Sequence, residues 1–300
     1  MTNPFSVWLL AIRPKTLPLS CSAIILGTAL AYYQGNFDLL IFILALVTAI
    51  LLQVISNLAN DFGDLKHGAD NAQRVGPLRV MNAGLVSESA MKKALFIAIG
   101  LAIASGISLL VQAFANQLWL IITFIVLGSL AIVAAITYTM GDKPYGYRGL
   151  GDISVFLFFG LVGVIGSFTL YQGEFYGLLM LPASSCGLLS CSVLNINNIR
   201  DMKTDLAAGK VTLAARLGYK GARAYHWCLL GLAELFIIVF ILLANMPITT
   251  WLHLLALPVL IVSTNRLKNV DDATIMNNQL KNTAIATFVF CSLFSIGLVL

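Results

Sequence analysis

Nine stretches of this chain, near residues 16–34, 38–60, 91–113, 117–139, 153–172, 175–199, 223–245, 247–264 and 282–300, are apolar over about twenty residues each. A helix of that length spans the roughly 30 Å of a bilayer's hydrocarbon. Inside hydrocarbon the backbone must satisfy its own hydrogen bonds, and a helix does so within one segment. Only 10% of the 300 residues are charged and 59% are hydrophobic, whereas about a quarter of a soluble domain is charged. The expected fold class is an all-α membrane protein, a single polytopic domain over residues 1–300 with nine transmembrane helices. A water-soluble globule is excluded.

The loops orient the bundle. Lys and Arg fall in alternate connections, while the turns around Gly35-Asn36, Ala115-Asn116, Gln172-Gly173 and Asn245-Met246 carry none. The positive-inside rule then puts the N-terminus and the four long loops in the cytoplasm. In a bacterium this is the cytoplasmic (inner) membrane, with any loop-built site open to the cytoplasmic side. The net charge of +5 is thus a topology signal and gives no reason to invoke nucleic acid. A cleavable signal peptide is the rival reading of the N-terminus, since Arg13 and Lys15 precede an apolar run and Ala29-Leu30-Ala31 mimics a cleavage site. The segment "FSVWLLAI" (5–12) ahead of those charges fits a short interfacial amphipathic helix better. The five cysteines all lie in apolar spans without metal-ligand spacing and read as packing residues.

Acids and amides cluster in two places, "NLANDFGDLKHGAD" (57–70) and "NINNIRDMKTD" (195–205), at the ends of the second and sixth spans. Each contains Asn-x-x-x-Asp: Asn57 with Asp61, and Asn197 with Asp201. Asn197, Asp201 and Asp205 line one helical face over about 12 Å. Carboxylates one turn apart repel, weakly screened at the edge of hydrocarbon, unless a cation lies among them. Carboxylate and amide oxygens form a hard ligand set, and Mg2+ is commonly held by one or two carboxylates with water and substrate phosphates. Two such half-sites facing each other would hold a diphosphate. Arg74 and Arg79 in "RVGPLR", and Lys143 and Arg148 in "GDKPYGYRGLGD", supply phosphate-binding charge. Under a bundle lined with Phe, Leu, Ile and Val, this points to a long-chain isoprenyl diphosphate with its tail in the lipid-like interior.

Plainer roles compete at several positions. Lys66 and Lys203 fit solvated charges, and His226 and His253 fit structural or interfacial residues. For His67 and Lys210 a site role stands beside ordinary loop anchoring. Glu234, inside the seventh span, is either a buried hydrogen-bonded carboxylate or a contact within a cavity.

On these residues the chain resembles the UbiA superfamily of intramembrane aromatic prenyltransferases over essentially its whole length. The two acid segments, "RVGPLR", "YGYRGLGDISVFLFFG" (145–160) and "NNIRDMKTDLAAGKVTLAARLG" (197–218) resemble most the branch that prenylates 1,4-dihydroxy-2-naphthoate in menaquinone biosynthesis. The broader family has a third Asp where this chain has Gly68, with its next acid at Asp70. The resemblance implies a nine-helix bundle of UbiA type and Mg2+ held by Asp61, Asp64, Asp201 and Asp205. Asn57 and Asn197 would belong to the same motifs, Arg13 would contact phosphate, and Tyr138 and Lys143 would match a family Tyr and Lys. It further implies transfer of a polyprenyl group from its diphosphate to the carboxylate-bearing carbon of the naphthoate, losing carbon dioxide and giving demethylmenaquinone. Asp152 and Arg148 are then candidates for organising the naphthoate. The alternatives are a prenyltransferase for 4-hydroxybenzoate, which keeps its carboxylate, and, from another class, a secondary transporter, whose site is expected at midplane on broken helices.

Overall fold

The structure is a computed structural model that describes residues 3–68, 76, 79–172, 176–268 and 273–300. Arg74 and Asp70 lie outside the described residues. Among the described residues, nine helices are long and apolar enough to cross a membrane. A short helix, Pro4–Ile12, precedes the membrane part of the first of them, Leu17–Tyr33. Asn3 caps that short helix by accepting the Phe5 N–H at 3.0 Å, and Pro4 opens it. Its buried Val7 and Ala11 pack with Ile55, Leu58 and Phe62 of the second span, so "FSVWLLAI" does form a helix laid against the bundle. Arg13, in the left-handed region at φ 55°, ends it and turns the chain into the first span.

The remaining spans are Leu39–Lys66, Glu88–Phe114, Leu118–Thr137, Gly151–Tyr171, Gly177–Ala207, Leu213–Leu243, Ile248–Arg266 and Thr274–Val299. The first span packs against the second, fifth and ninth, and the sixth against the fifth, seventh and ninth. Their shared core holds Leu26, Phe168, Leu189, Ile237 and Phe294. Small polar residues such as Ser22, Ser185, Ser190 and Ser192 are buried between helices, as expected where lipid is as apolar as leucine and close packing drives association. Large apolar side chains such as Phe96, Leu101, Val111 and Ile122 point outward.

Several helices run further than hydropathy predicts. The second continues to Lys66 and the sixth to Ala207, so both acid segments are helical through Asp64 and Asp205. The seventh begins at Leu213, bent where Gly218 takes φ 66°. From Phe156 to Ile165 the fifth span is wound as a π-helix, a form concentrated near functional sites, and it turns Phe158, Phe159 and Val162 toward the interior.

Candidate active site at the polar end of the bundle cavity

A cavity of about 710 Å³ is lined by the first six spans and by Leu280 of the ninth. Along the second span its wall runs from Ala45 to Asn60, about 22 Å of helix. Most of the wall is hydrocarbon, including Ile24, Leu52, Phe124, Phe158 and Leu194. Its polar end carries Arg13, Asn57, Asn60, Arg79, Asn197 and Arg200.

Helical periodicity explains how the first cluster reaches this end. Asn57, Asp61 and Asp64 lie on one buried stripe of the second span. The Asn57 amide donates to the Ile12 carbonyl at 2.7 Å and the Thr16 hydroxyl at 3.1 Å, and its oxygen accepts from Gln53 at 3.2 Å. Asn57 therefore braces the turn that presents Arg13. Asp64 accepts from Arg79 Nη2 at 3.2 Å and from the Tyr147 hydroxyl at 3.0 Å.

The second cluster is built in the same way on the sixth span. Arg200 forks onto Asp201 through Nε, at 2.7 Å, and Nη2, and also donates to Asn197 at 2.8 Å and Asn277 at 2.9 Å. Asp205 is 3.4 Å from Lys210 Nζ, which lies 4.0 Å from Asp64. One buried ammonium thus stands between the two acid clusters. Burial pulls the Lys210 ammonium down, but Asp64, Asp205 and Asp201 together outweigh it and hold it above the ordinary lysine value.

The acids themselves are not among the cavity-lining residues. Arg79 and Arg200 line the cavity and pair with Asp64 and Asp201. Tyr138 faces the cavity, its ring edge-on to Tyr145 at 5.3 Å. Burial, with the charges of Asp152 and Asp64, pushes its phenol far above the usual range, so it is a neutral donor.

Other expected site residues lie elsewhere. Lys143 and Arg148 are exposed in the loop after the fourth span and do not line the cavity. Asp152 is buried outside the cavity wall and accepts from the Tyr225 hydroxyl at 3.1 Å. His67 sits beside the first cluster, against the Tyr147 ring at 5.3 Å, with its Nε2 3.0 Å from the Gly141 carbonyl. Lys66 is exposed and paired with Glu88 at 3.3 Å. Glu234 has a partner invisible in the sequence: His253 Nε2, at 3.2 Å, from a ring buried between Phe290 and Phe294. Arg200, Lys210 and Tyr147 are the charged and polar contacts that sequence reasoning passed over or left open. Arg200 stands inside the second motif, where it counts in the sequence only toward the topology charges, and Lys210 in the "AAGK" continuation stays open between a site role and loop anchoring.

Among the described residues no three His, Cys, Asp or Glu side chains converge as a preformed metal cage. Mg2+ does not require one, since substrate phosphates complete its shell. The donor set of carboxylates beside amides suits a hard divalent ion, and Asp205 Oδ2 is buried with no hydrogen-bond partner among the described residues.

Comparison with known proteins identifies the family. The model of the UbiA prenyltransferase family matches residues 20–298. The chain is 46% identical over 98% of its length, and 95% of the relative's, to 1,4-dihydroxy-2-naphthoate octaprenyltransferase of Escherichia coli. Its fold is similar to the apo structure of a UbiA homolog from Aeropyrum pernix, at a TM-score of 0.70 and 19% identity, covering 96% of this chain and 98% of that one. It is also similar to a UbiA homolog from Archaeoglobus fulgidus bound to GPP and Mg2+, at a TM-score of 0.61 and 14% identity over 96% and 99% of the two chains. With nine helices among the described residues long and apolar enough to cross a membrane, a polar-ended cavity and this match, the chain belongs to the UbiA prenyltransferase family.

Proposed function

We propose that this chain transfers a polyprenyl group from polyprenyl diphosphate to 1,4-dihydroxy-2-naphthoate, with loss of carbon dioxide and diphosphate. The observation that carries the reading is the asymmetry of the cavity: a hydrocarbon wall along the bundle, and at one end Arg and Asn side chains, of which Arg79 and Arg200 are paired with Asp64 and Asp201 behind the wall. An amphiphile with a long apolar tail and a polyanionic head fits such a space. The naphthoate acceptor rests on the near full-length similarity to the Escherichia coli enzyme that carries it in its name.

Asp61, Asp64, Asp201 and Asp205 are the proposed holders of Mg2+, which supplies neutralisation of charge on the departing diphosphate when bound. Arg79 and Arg200 line the cavity beside those acids and offer forked donors to phosphate oxygens. Arg13 adds charge from the turn before the first span, which Asn57 braces. As the bond from C1 to oxygen breaks, the hydrocarbon wall keeps water from the allyl cation. The ring carbon bearing the carboxylate attacks C1, and carbon dioxide departs leaving its electron pair to restore the aromatic ring. No proton has to be removed, so no side chain need act as a general base. Tyr138, a neutral phenol on the wall, is our proposed donor to an acceptor or phosphate oxygen. We further assign the acid end to the cytoplasmic face of the bacterial inner membrane, from the distribution of Lys and Arg.

Removing divalent ions with excess EDTA is expected to stop diphosphate release by the purified chain, and added Mg2+ to restore it. Sustained release in EDTA would contradict the divalent-ion site.

A further inference from the structure

Lys210 stands where the two halves of the site meet. Its Nζ lies 3.4 Å from Asp205 and 4.0 Å from Asp64, and it is 7% exposed. The chain holds it there from both sides. After the sixth span, Gly209 at φ 74° turns the backbone so that Lys210 N–H donates to the Asp205 carbonyl at 2.8 Å. The Val211 N–H then donates to the Tyr147 carbonyl at 2.9 Å, joining this turn to the loop after the fourth span. Tyr147 lays its ring 5.4 Å from the ammonium while its hydroxyl binds Asp64.

The contacts of Lys210 differ in kind from those of Arg200, which forks onto Asp201 through two nitrogens. The ammonium acts as a point charge on a flexible stem. At 3.4 and 4.0 Å it neutralises two carboxylates without a tight directional bond to either, and one oxygen of Asp205 has no partner among the described residues. We propose that Lys210 is the resident cation of this site: it holds the two acid clusters together before a divalent ion binds, and releases Asp64 and Asp205 when the ion arrives. It is a positioning residue in the ligand-free chain, and it sets the affinity for the ion by competing with it. The proposal rests on the reading that these aspartates bind a divalent ion.

The test uses the purified full-length chain in detergent, with Mn2+ as the probe. Binding is read by electron paramagnetic resonance and thermal unfolding is followed with and without the ion. Lys210→Met is expected to lower Tm in EDTA and to bind Mn2+ about tenfold more tightly than wild type, since one unit charge at this range exceeds a tenfold effect. Mn2+ should return its Tm toward wild type, and adding Asp205→Asn to Lys210→Met should do so without metal. Lys210→Arg, which keeps the charge but forks onto carboxylates, should bind Mn2+ about threefold or more weakly. If Lys210→Met does not survive purification, the arginine variant decides alone. Unchanged Mn2+ affinity in the variants that purify would overturn the role of Lys210. No Mn2+ binding by wild type or any variant, even with pyrophosphate present, would instead overturn the divalent-ion reading beneath it.

Discussion

Asp201→Asn is expected to lower prenyl-transfer turnover by about a thousandfold or more, because charge stabilisation in a dry site is worth several kcal/mol. Asn keeps the shape and one oxygen but removes the charge that a divalent ion needs. The change reaches beyond the ion, because Arg200 forks onto Asp201 in the ligand-free structure. Without that carboxylate Arg200 retains Asn197 and Asn277, neither of which balances its charge. A buried pair broken on one side destabilises by about 3–5 kcal/mol, so the variant should also melt earlier. Insertion should be unaffected, since the apolar length of the sixth span is unchanged. Turnover and Tm measured on the same membrane preparation separate the two effects. Near-normal turnover would remove Asp201 from the site.

Gly63→Ala is expected to damage both fold and activity, although it adds one methyl group. Gly63 lies between Asp61 and Asp64 on the second span, and a Cβ there would come within 2.5 Å of the carbonyl oxygen and Oγ1 of Thr139. Thr139 is docked on that helix by its own hydroxyl, which donates to the Ala59 carbonyl at 3.0 Å and to Asn60 at 3.2 Å. The same segment presents Tyr138 to the cavity and leads to Tyr147, whose hydroxyl binds Asp64. An added methyl must push the segment off the helix, at about 1–3 kcal/mol for overpacking. Turnover should fall by about a hundredfold, the order expected for a displacement near 1 Å in a site. Gly100→Ala is the control: it is exposed in the third span, with nothing within 4 Å of the position its new methyl would take. That variant should leave both Tm and turnover close to wild type. Equal behaviour of the two variants would show that the Gly63 contact does not position the loop.

The spans were legible because hydrocarbon imposes one solution on a long apolar segment. Their ends were not. Asp61 to Lys66 and Arg200 to Ala207 stay helical beyond the apolar windows, where Asp64, Arg200 and Asp201 find partners inside the protein. The acid clusters were legible as helical periodicity, which survives without knowledge of neighbours. The pairing of Asp64 with Arg79 and Lys210 was not, because it depends on where loops fold back. Lys210 meets Asp64 only through the turn at Gly209, and Asp152 meets Tyr225 across the fifth and seventh spans. Spacing also cannot say which way a loop side chain points, so Lys143 and Arg148 looked as suited to the cavity as Arg79, which alone of the three lines it. The sequence left Glu234 without a partner for the same reason, as His253 comes from the next span.

The most direct test of the proposed activity is mass analysis of the product formed by purified protein with Mg2+, a polyprenyl diphosphate and 1,4-dihydroxy-2-naphthoate, alongside a reaction with 4-hydroxybenzoate. The expected result is a prenylated naphthoquinol lacking the carboxylate, with one carbon dioxide per diphosphate released and no product from the benzoate. Absence of the naphthoquinol, or a prenylated benzoate that keeps its carboxylate as the main product, would contradict it.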